Sequence, residues 1–211
     1  DAFDACGVLT WTNNYTSLVT SCGSTGSVTV TFTVTDESNA VATTSATFTI
    51  IDTTAPTITA ASDLTVECNG VGNNNALNNW LTSNGGASAS DDCSGVTWSH
   101  DFTGLSNGCG ATGSATVIFK ATDACGNFST SSATFTIVDT TPPAINAASS
   151  ATEECDGSGN IAAFNAWLTS NGGATASDVC SGVTWSNNFT SLSDLCGATG
   201  SATVTFTATD D

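Results

Sequence analysis

Basic residues are almost missing from this sequence. Its 211 residues include one Lys or Arg against 19 Asp and Glu, which gives a formal net charge of −18. Nucleic acids and anionic membrane surfaces both bind proteins through basic surfaces, so the charge excludes them as partners. The sequence also lacks any run of about 18 apolar residues, the length that spans a bilayer. We therefore expect no membrane insertion.

Hydroxyl groups, rather than charges, make the chain polar. Charged residues make up 9% of the sequence, whereas 39 Thr and 27 Ser are present. Apolar residues still account for 39%, with five Trp and ten Phe, which is enough to build folded cores. The composition predicts a folded protein rather than a disordered one.

The nine cysteines never form a Cys-x-x-Cys pair. This absence excludes zinc ribbons and thioredoxin-like redox motifs, which depend on that spacing. Widely spaced cysteines in a Thr-rich chain indicate disulfides, and disulfides persist outside the cytosol. We therefore expect an extracellular protein, either secreted or attached to a cell surface.

The sequence repeats itself with a period of 87 residues. Residues 93–123 match residues 180–210 at 24 of 31 positions without a gap, and Trp11, Trp98 and Trp185 follow the same step. The period predicts the C-terminal part of a first repeat at 1–51, a complete repeat at 52–138 and the N-terminal part of a third at 139–211. Because the chain starts and stops in mid-repeat, we expect it to be a window on a longer array.

Alternating apolar and polar residues predict short β-strands in each repeat. The alternation is clear at 27–35, 115–121, 133–137 and 202–208. Gly126, and Asn39 at the same position of the first repeat, are expected in left-handed turns. Pro56 and Pro143 are expected at edge strands. Short helices are predicted at 75–83 and 162–170, each ending at Gly-Gly. The pattern favours an all-β fold of tandem antiparallel β-sandwiches.

Comparison of the repeats predicts how the cysteines pair. Four cysteines in one repeat allow three connectivities. The first repeat carries Ser38 at the position of Cys125 but keeps both Cys6 and Cys22. Only one of these connectivities gives both Cys6 and Cys22 a partner within the first repeat. It predicts the bridges Cys6–Cys22, Cys93–Cys109, Cys180–Cys196 and Cys68–Cys125, with the partner of Cys155 just past Asp211.

Recurring aspartates are the candidate metal ligands. In a sandwich of this type, the linker, one loop and the last hairpin meet at one pole, where carboxylates without basic partners repel one another. Ca²⁺ suits such a set because it binds six to eight oxygens. An equally weighted interpretation is that these aspartates only form turns. The predicted clusters are Asp52, Asp91 and Asp123, then Asp139, Asp178 and Asp210, with Asp4 and Asp36 as their equivalents in the first repeat.

Several motifs resemble the hyalin repeat, an immunoglobulin-like extracellular module. They are Asp-Thr-Thr-x-Pro at 52–56 and 139–143, Ala-Ser-Asp before Cys93, and the hairpin motif Thr-Asp-x-x-Gly-Asn at 122–127. The four-cysteine version is similar to arrays in surface adhesins and gliding-associated proteins of Bacteroidota. The resemblance implies tandem immunoglobulin-like sandwiches, type IX secretion and a role in adhesins or surface fibres. Separately, Asp52-Thr53-Thr54 and Asp139-Thr140-Thr141 resemble the Asp-Thr/Ser-apolar O-glycosylation motif used by Bacteroidota, which implies O-glycosylation at Thr53 and Thr140.

Three classes of function remain, and a structural one is favoured. It is a stalk or fibre segment, stiffened by disulfides and Ca²⁺, whose partners are neighbouring repeats and other copies in a filament. The alternative is a glycan- or protein-binding module acting through its loops. Its stacking candidates are Trp80, Trp98, Trp167 and Trp185, although repeated aromatic residues more often belong to the core. An enzyme is not expected, because His100 is replaced by Asn13 and Asn187 in the other repeats.

Overall fold

The computed structural model describes residues 7–194 and 199–211, and β-strands dominate them. Two nine-residue α-helices and two single-turn 3₁₀ helices are the helical elements of this part. None of these helices is long and apolar enough to cross a membrane. The described fold is therefore all-β, as the alternating sequence pattern predicts.

The first repeat forms one four-stranded sheet. Strand β3 lies at its centre, with β1 and β2 paired along one side and β4 along the other, all antiparallel. The β3–β4 hairpin turns at Asn39, which has a positive φ of 64°, as expected. The strands are β1 (Thr10–Asn13), β2 (Val19–Thr20), β3 (Gly26–Thr35) and β4 (Val41–Ile50).

The complete repeat contains a four-stranded sheet in the order β6-β10-β9-β8 and a two-stranded sheet of β5 and β7. Gly126 turns the β9–β10 hairpin with a φ of 94°. The elements are β5 (Thr57–Ile58), β6 (Leu64–Glu67), α1 (Asn74–Thr82), the 3₁₀ turn Asn84–Gly86, β7 (Ala89–Ser90), β8 (Thr97–His100), β9 (Gly113–Thr122) and β10 (Phe128–Val138).

The pairing of β6 with β10 corrects the expectation of a wholly antiparallel fold. These two strands are parallel, with Leu64 opposite Phe135 and Glu67 opposite Val138. Parallel pairing needs a long connection rather than a hairpin. Here the whole segment from α1 to β9 separates the two strands along the chain. This connection is long enough for β6 to pair with β10 in either direction.

In the part of the third repeat that the structure describes, there are three two-stranded sheets: β11 with β12, β13 with β16, and β14 with β15. The strand predicted at 202–208 is shorter than expected, since only β16 covers its end. The elements are β11 (Ala144–Asn146), α2 (Ile161–Thr169), the 3₁₀ turn Asn171–Gly173, β12 (Thr175–Ser177), β13 (Thr184–Asn187), β14 (Ser193–Asp194), β15 (Gly200–Ser201) and β16 (Phe206–Thr209).

Helix α1 supplies core residues through a helical spacing of large side chains. Leu77, Trp80 and Leu81, at steps of three and four, are each at most 7% exposed. The Trp80 ring lies 5.6 Å from that of Phe135. The helix ends at Thr82, one residue earlier than predicted, and Gly85 and Gly86 adopt positive φ in the 3₁₀ turn that follows. Helix α2 repeats this position 87 residues later.

The chain divides into two compact units. One consists of the residues up to Ser62 together with 81–102 and 117–133, and the other of 63–80, 103–116 and the residues from Thr134 onward. Each unit thus contains segments of consecutive 87-residue repeats. The core of the complete repeat lies on β9 and β10, where Phe119 and Phe135 have no exposed surface.

We expect Phe119→Ala to lower the free energy of unfolding by about 3–5 kcal/mol, the usual cost of removing a fully buried Phe. The matched control is Phe32→Ala, because Phe32 occupies the same position 87 residues earlier but is 39% exposed. It should cost far less. Chemical denaturation measures both, and equal losses would contradict the assignment of the core.

Candidate functional site

Two disulfides join cysteines of consecutive repeats. Cys22 of the first repeat is bonded to Cys125 of the second, with Cα atoms 5.1 Å apart. Cys68 of the second repeat is bonded to Cys180 of the third, with Cα atoms 6.0 Å apart. The sequence separations are 103 and 112 residues, both longer than the 87-residue period. Each bridge therefore lies at a junction between neighbouring repeats.

These bridges correct the predicted pairing. Cys22 and Cys125 are bonded to each other rather than to Cys6 and Cys68, and Cys180 is bonded to Cys68 rather than to Cys196. The pair Cys93–Cys109 is not formed, since both are free thiols. Cys6 and Cys196 themselves lie outside the described residues. The prediction failed because it considered only bridges within one repeat, whereas Ser38 is equally compatible with bridges between repeats.

At each junction, a tight turn of one repeat contacts the next repeat. At the first, the backbone N–H of Ser24 donates to the carbonyl of Cys93 over 2.9 Å. At the second, the N–H of Ala111 donates to the carbonyl of Cys180 over 2.8 Å. Gly23 and Gly110, which precede these donors, both have a φ of 56° and lie so close to the same carbonyls that a Cβ would clash. The two junctions use equivalent residues, 87 positions apart.

An acidic cluster lies at the first junction. Ligand atoms of Asp52, Asp91 and Cys93 all lie within 4.8 Å of one another. One oxygen of Asp52 accepts the N–H of Thr54 over 3.0 Å, while its other oxygen is buried without a hydrogen-bond partner. Burial raises the pKa of the Cys93 thiol, and the carboxylates of Asp52 and Asp91 raise it further. The cluster therefore concentrates negative charge.

The second junction repeats this cluster. The ligand atoms of Asp139, Asp178 and Cys180 also lie within 4.8 Å of one another. One oxygen of Asp139 is again buried without a hydrogen-bond partner. Burial raises the pKa of Asp139, and the nearby charges of Asp178 and Asp210 add to the effect. An ionised Asp139 is therefore less favourable in the folded chain than in the unfolded one. A bound cation would remove that penalty.

The structure brings together two of the three predicted carboxylates at each junction. Asp123 is 5% exposed, and its carboxylate accepts the N–H groups of Cys125 and Asn127 over 2.8 and 2.9 Å. Burial opposes ionisation of Asp123, but these bonds and one from the Asn127 side chain hold its pKa below the ordinary value. Asp123 thus acts as a turn former.

Asp36 also forms a turn, and Asp4 lies outside the described residues. The Ser38 hydroxyl donates to Asp36 over 2.7 Å, and the Ala40 N–H donates to the same oxygen over 2.8 Å. These two bonds lower the pKa of Asp36. The turn interpretation is therefore the better one for the hairpin aspartates of both repeats.

The donor atoms at each cluster fit a hard cation in part. Two carboxylates offer up to four oxygens, and Ca²⁺ accepts such ligands together with backbone carbonyls and water. The sulfur does not suit Ca²⁺, and that of Cys180 is already bonded to Cys68. Asp52 with Asp91, and Asp139 with Asp178, are therefore the residues that would hold Ca²⁺.

Glu67 fixes the linker between the second and third repeats, a role that sequence reasoning missed. Its carboxylate accepts the N–H of Thr140 over 2.9 Å and the hydroxyls of Thr140 and Thr141 over 2.8 Å each. These bonds lower the pKa of Glu67. The recurrence of Glu67 as Glu154 was the available signal. Thr53 and Thr140 are both exposed, but glycosylation of Thr140 would require its hydroxyl to give up this bond.

The four tryptophans considered as sugar-stacking platforms are not exposed. Trp80 is 6% exposed, and the three others, Trp98, Trp167 and Trp185, are half-buried. His100 packs its ring edge-on against Phe119, with centroids 6.2 Å apart. These aromatic side chains therefore belong to packing contacts.

No protein-family model matches the chain, and no curated protein compared with it is similar enough to count as a relative. The likeness to the hyalin repeat therefore stays a resemblance carried by sequence motifs. The features on which a function can be argued are the two disulfide junctions and the acidic cluster at each.

Proposed function

We propose that this chain is a structural, non-enzymatic segment of a long extracellular repeat array, as in the stalk or fibre of a cell-surface adhesin. One observation carries the proposal: Cys22–Cys125 and Cys68–Cys180 join consecutive repeats covalently. A module that acted alone would gain nothing from bonds to its neighbours. In an array, such bonds stop one repeat from being pulled away from the next.

The proposal includes an immunoglobulin-like sandwich for each repeat. The two-stranded β5–β7 sheet and the four-stranded sheet around β9 and β10 support it, since a sandwich needs two sheets. The hyalin-repeat resemblance also supports it. Export by a type IX system, residence at the cell surface and lateral contact with other copies in a filament follow from the same resemblance and belong to the proposal.

Disulfides favour the extracellular location, because reducing conditions in the cytosol would open them. The alternative function, a glycan- or protein-binding module, draws less support. Its stacking candidates are buried or half-buried, and Trp80 packs on Phe135. His100 packs its ring against Phe119, so a packing contact accounts for it.

Pulling the chain by its ends tests the structural function. With both bridges intact, the shortest covalent path runs from Asp1 to Cys68, across to Cys180 and on to Asp211, which is about 100 of the 211 residues. At about 3.5 Å per residue, we expect a final extension of about 350 Å, against about 700 Å for the reduced and alkylated chain. Single-molecule force spectroscopy measures both lengths. Equal lengths would show that the bridges carry no force.

We further propose that Ca²⁺ binds the two acidic clusters and stiffens the junctions. Millimolar Ca²⁺ should raise the melting temperature over that in chelator, since a ligand at 100 times its Kd adds about 2.7 kcal/mol per site. The double variant Asp52→Asn/Asp139→Asn should lose this gain, and without calcium it should melt no lower than the parent, because it removes repulsion. Glu153→Gln, an exposed residue outside both clusters, should keep the gain. A parent chain whose melting temperature does not change with Ca²⁺ would contradict the proposal and would mean that these aspartates only form turns.

A further inference from the structure

Each junction carries one disulfide, but the two disulfides are of different kinds. At the first junction, the bonded cysteine precedes the tight turn: it is Cys22, next to Gly23. At the second, the bonded cysteine is the one whose carbonyl accepts the hydrogen bond of the turn: it is Cys180. The first bridge therefore uses the cysteine that precedes the turn, and the second bridge uses the cysteine whose carbonyl the turn contacts.

The remaining position of each contact is also a cysteine, and it is a free thiol. Cys93 at the first junction is equivalent to the bonded Cys180, and Cys109 at the second is equivalent to the bonded Cys22. Cys93 is half-buried and Cys109 is exposed. The two turns that contact them are alike, since their hydrogen bonds differ by only 0.1 Å and Gly23 and Gly110 share a φ of 56°.

The separations of the existing bridges show where the partners of these thiols fall. A residue 103 positions after Cys109 stands directly after Asp211, at the place equivalent to Cys125. A residue 112 positions before Cys93 stands before Asp1, at the place equivalent to Cys68. In an array, both of these positions fall in adjoining copies of the repeat.

We propose that Cys93 and Cys109 are bonding sites for copies of this repeat that directly precede and follow the chain, so that every junction carries two disulfides. The proposal rests on the array function above and specifies its chemistry. Each complete repeat then uses Cys93 and Cys125 toward the preceding copy, and Cys68 and Cys109 toward the following one. All four cysteines of the repeat are accounted for.

The bonds form by thiol–disulfide exchange with a small disulfide such as glutathione disulfide. Attack by the Cys109 thiolate breaks the S–S bond of the oxidant, forms a mixed disulfide and releases one glutathione thiol. The incoming thiol of the adjoining copy then displaces the second glutathione. Two protein thiols are oxidised and one disulfide of the oxidant is reduced to two thiols, so electrons and protons balance.

Extending the chain tests Cys109. A copy of residues 125–138 is added directly after Asp211, and the oxidised product is digested and mapped by mass spectrometry without reduction. We expect Cys109 to be bonded to the added cysteine in most molecules. The matched control carries Ser at the added cysteine, and there Cys109 should react fully with iodoacetamide. A Cys109 that stays reactive or bonds elsewhere in the extended chain would overturn the proposal.

A second extension tests Cys93 independently. A copy of residues 52–87 is placed directly before Asp1, which completes the first repeat, and Cys93 should then bond to the copy of Cys68. Each extension tests its own cysteine independently of the other. In both, the disulfide-linked peptides of Cys22–Cys125 and Cys68–Cys180 show that the chain has folded correctly. If these two bridges form and carry force while Cys93 and Cys109 stay free, the array function stands and this proposal fails.

Discussion

Replacing Cys22 and Cys125 together by serine is expected to lower the free energy of unfolding by about 4–5 kcal/mol. The bridge closes a loop of about 100 residues, and in the chain-entropy model a loop of that size is worth about 4.7 kcal/mol. A domain has a stability of about 5–15 kcal/mol in total. The melting temperature should fall by more than about 10 °C, as calorimetry and chemical denaturation can measure.

The control for this loss is Cys109→Ser. Cys109 is exposed and is not bonded in this chain, so its replacement should change the stability by no more than about 0.5 kcal/mol. Both cysteines of the bridge are replaced at once so that no new free thiol is left behind. A double variant as stable as the parent would mean that the bridge does not constrain the unfolded chain.

Trypsin should cut this protein in two without separating the pieces. Lys120 is the one basic residue, so cleavage gives fragments 1–120 and 121–211. Both disulfides cross that position, because each joins a cysteine before Lys120 to one after it. Lys120 lies half-buried in β9 over the Phe128 ring, so mild denaturant and blocked thiols are needed for cleavage. Non-reducing electrophoresis should show one band, and reduction should release two.

Variants turn the trypsin experiment into a test of connectivity. With Cys68 and Cys180 replaced by serine, the Cys22–Cys125 bridge should still hold the fragments together. The pairing within one repeat, Cys68–Cys125, predicts the opposite, because its loss would leave no bond across Lys120. Removal of all four cysteines should separate the fragments even without reductant.

Much of the fold could be predicted because its signals are local. The alternation at 27–35 and the Gly-Gly that follows 75–83 predicted elements within one residue of those observed. Asn39 and Gly126 were correctly expected in left-handed turns, since few other residues adopt them. The direction of β6 was not predictable in this way, because it depends on a partner about 70 residues away.

The disulfides could be predicted as a chemical feature but not as a set of pairs. Composition indicates that cysteines such as Cys22 are oxidised, whereas the partner depends on how consecutive repeats pack. In a repeated sequence, a bridge to the next repeat leaves the same residue pattern as a bridge within one. The contacts that the turns at Gly23 and Gly110 make with Cys93 and Cys180 distinguish the two.

The acidic sites were predicted in part for a related reason. Asp52 and Asp91 do meet, as their positions in linker and loop suggested. Asp123 shares their period but accepts N–H groups within its own hairpin, a local bond that periodicity does not reveal. Recurrence therefore identified which acids matter, and the local turn decided what each one does.

The length of the two bridges also sets an order for the folding of the chain. Cys22 cannot be bonded before Cys125, 103 residues further along, has folded against it. Cys68 in turn depends on Cys180, which lies 112 residues further along. Folding therefore proceeds with a lag of more than one repeat, and each repeat is locked only after its successor has taken shape.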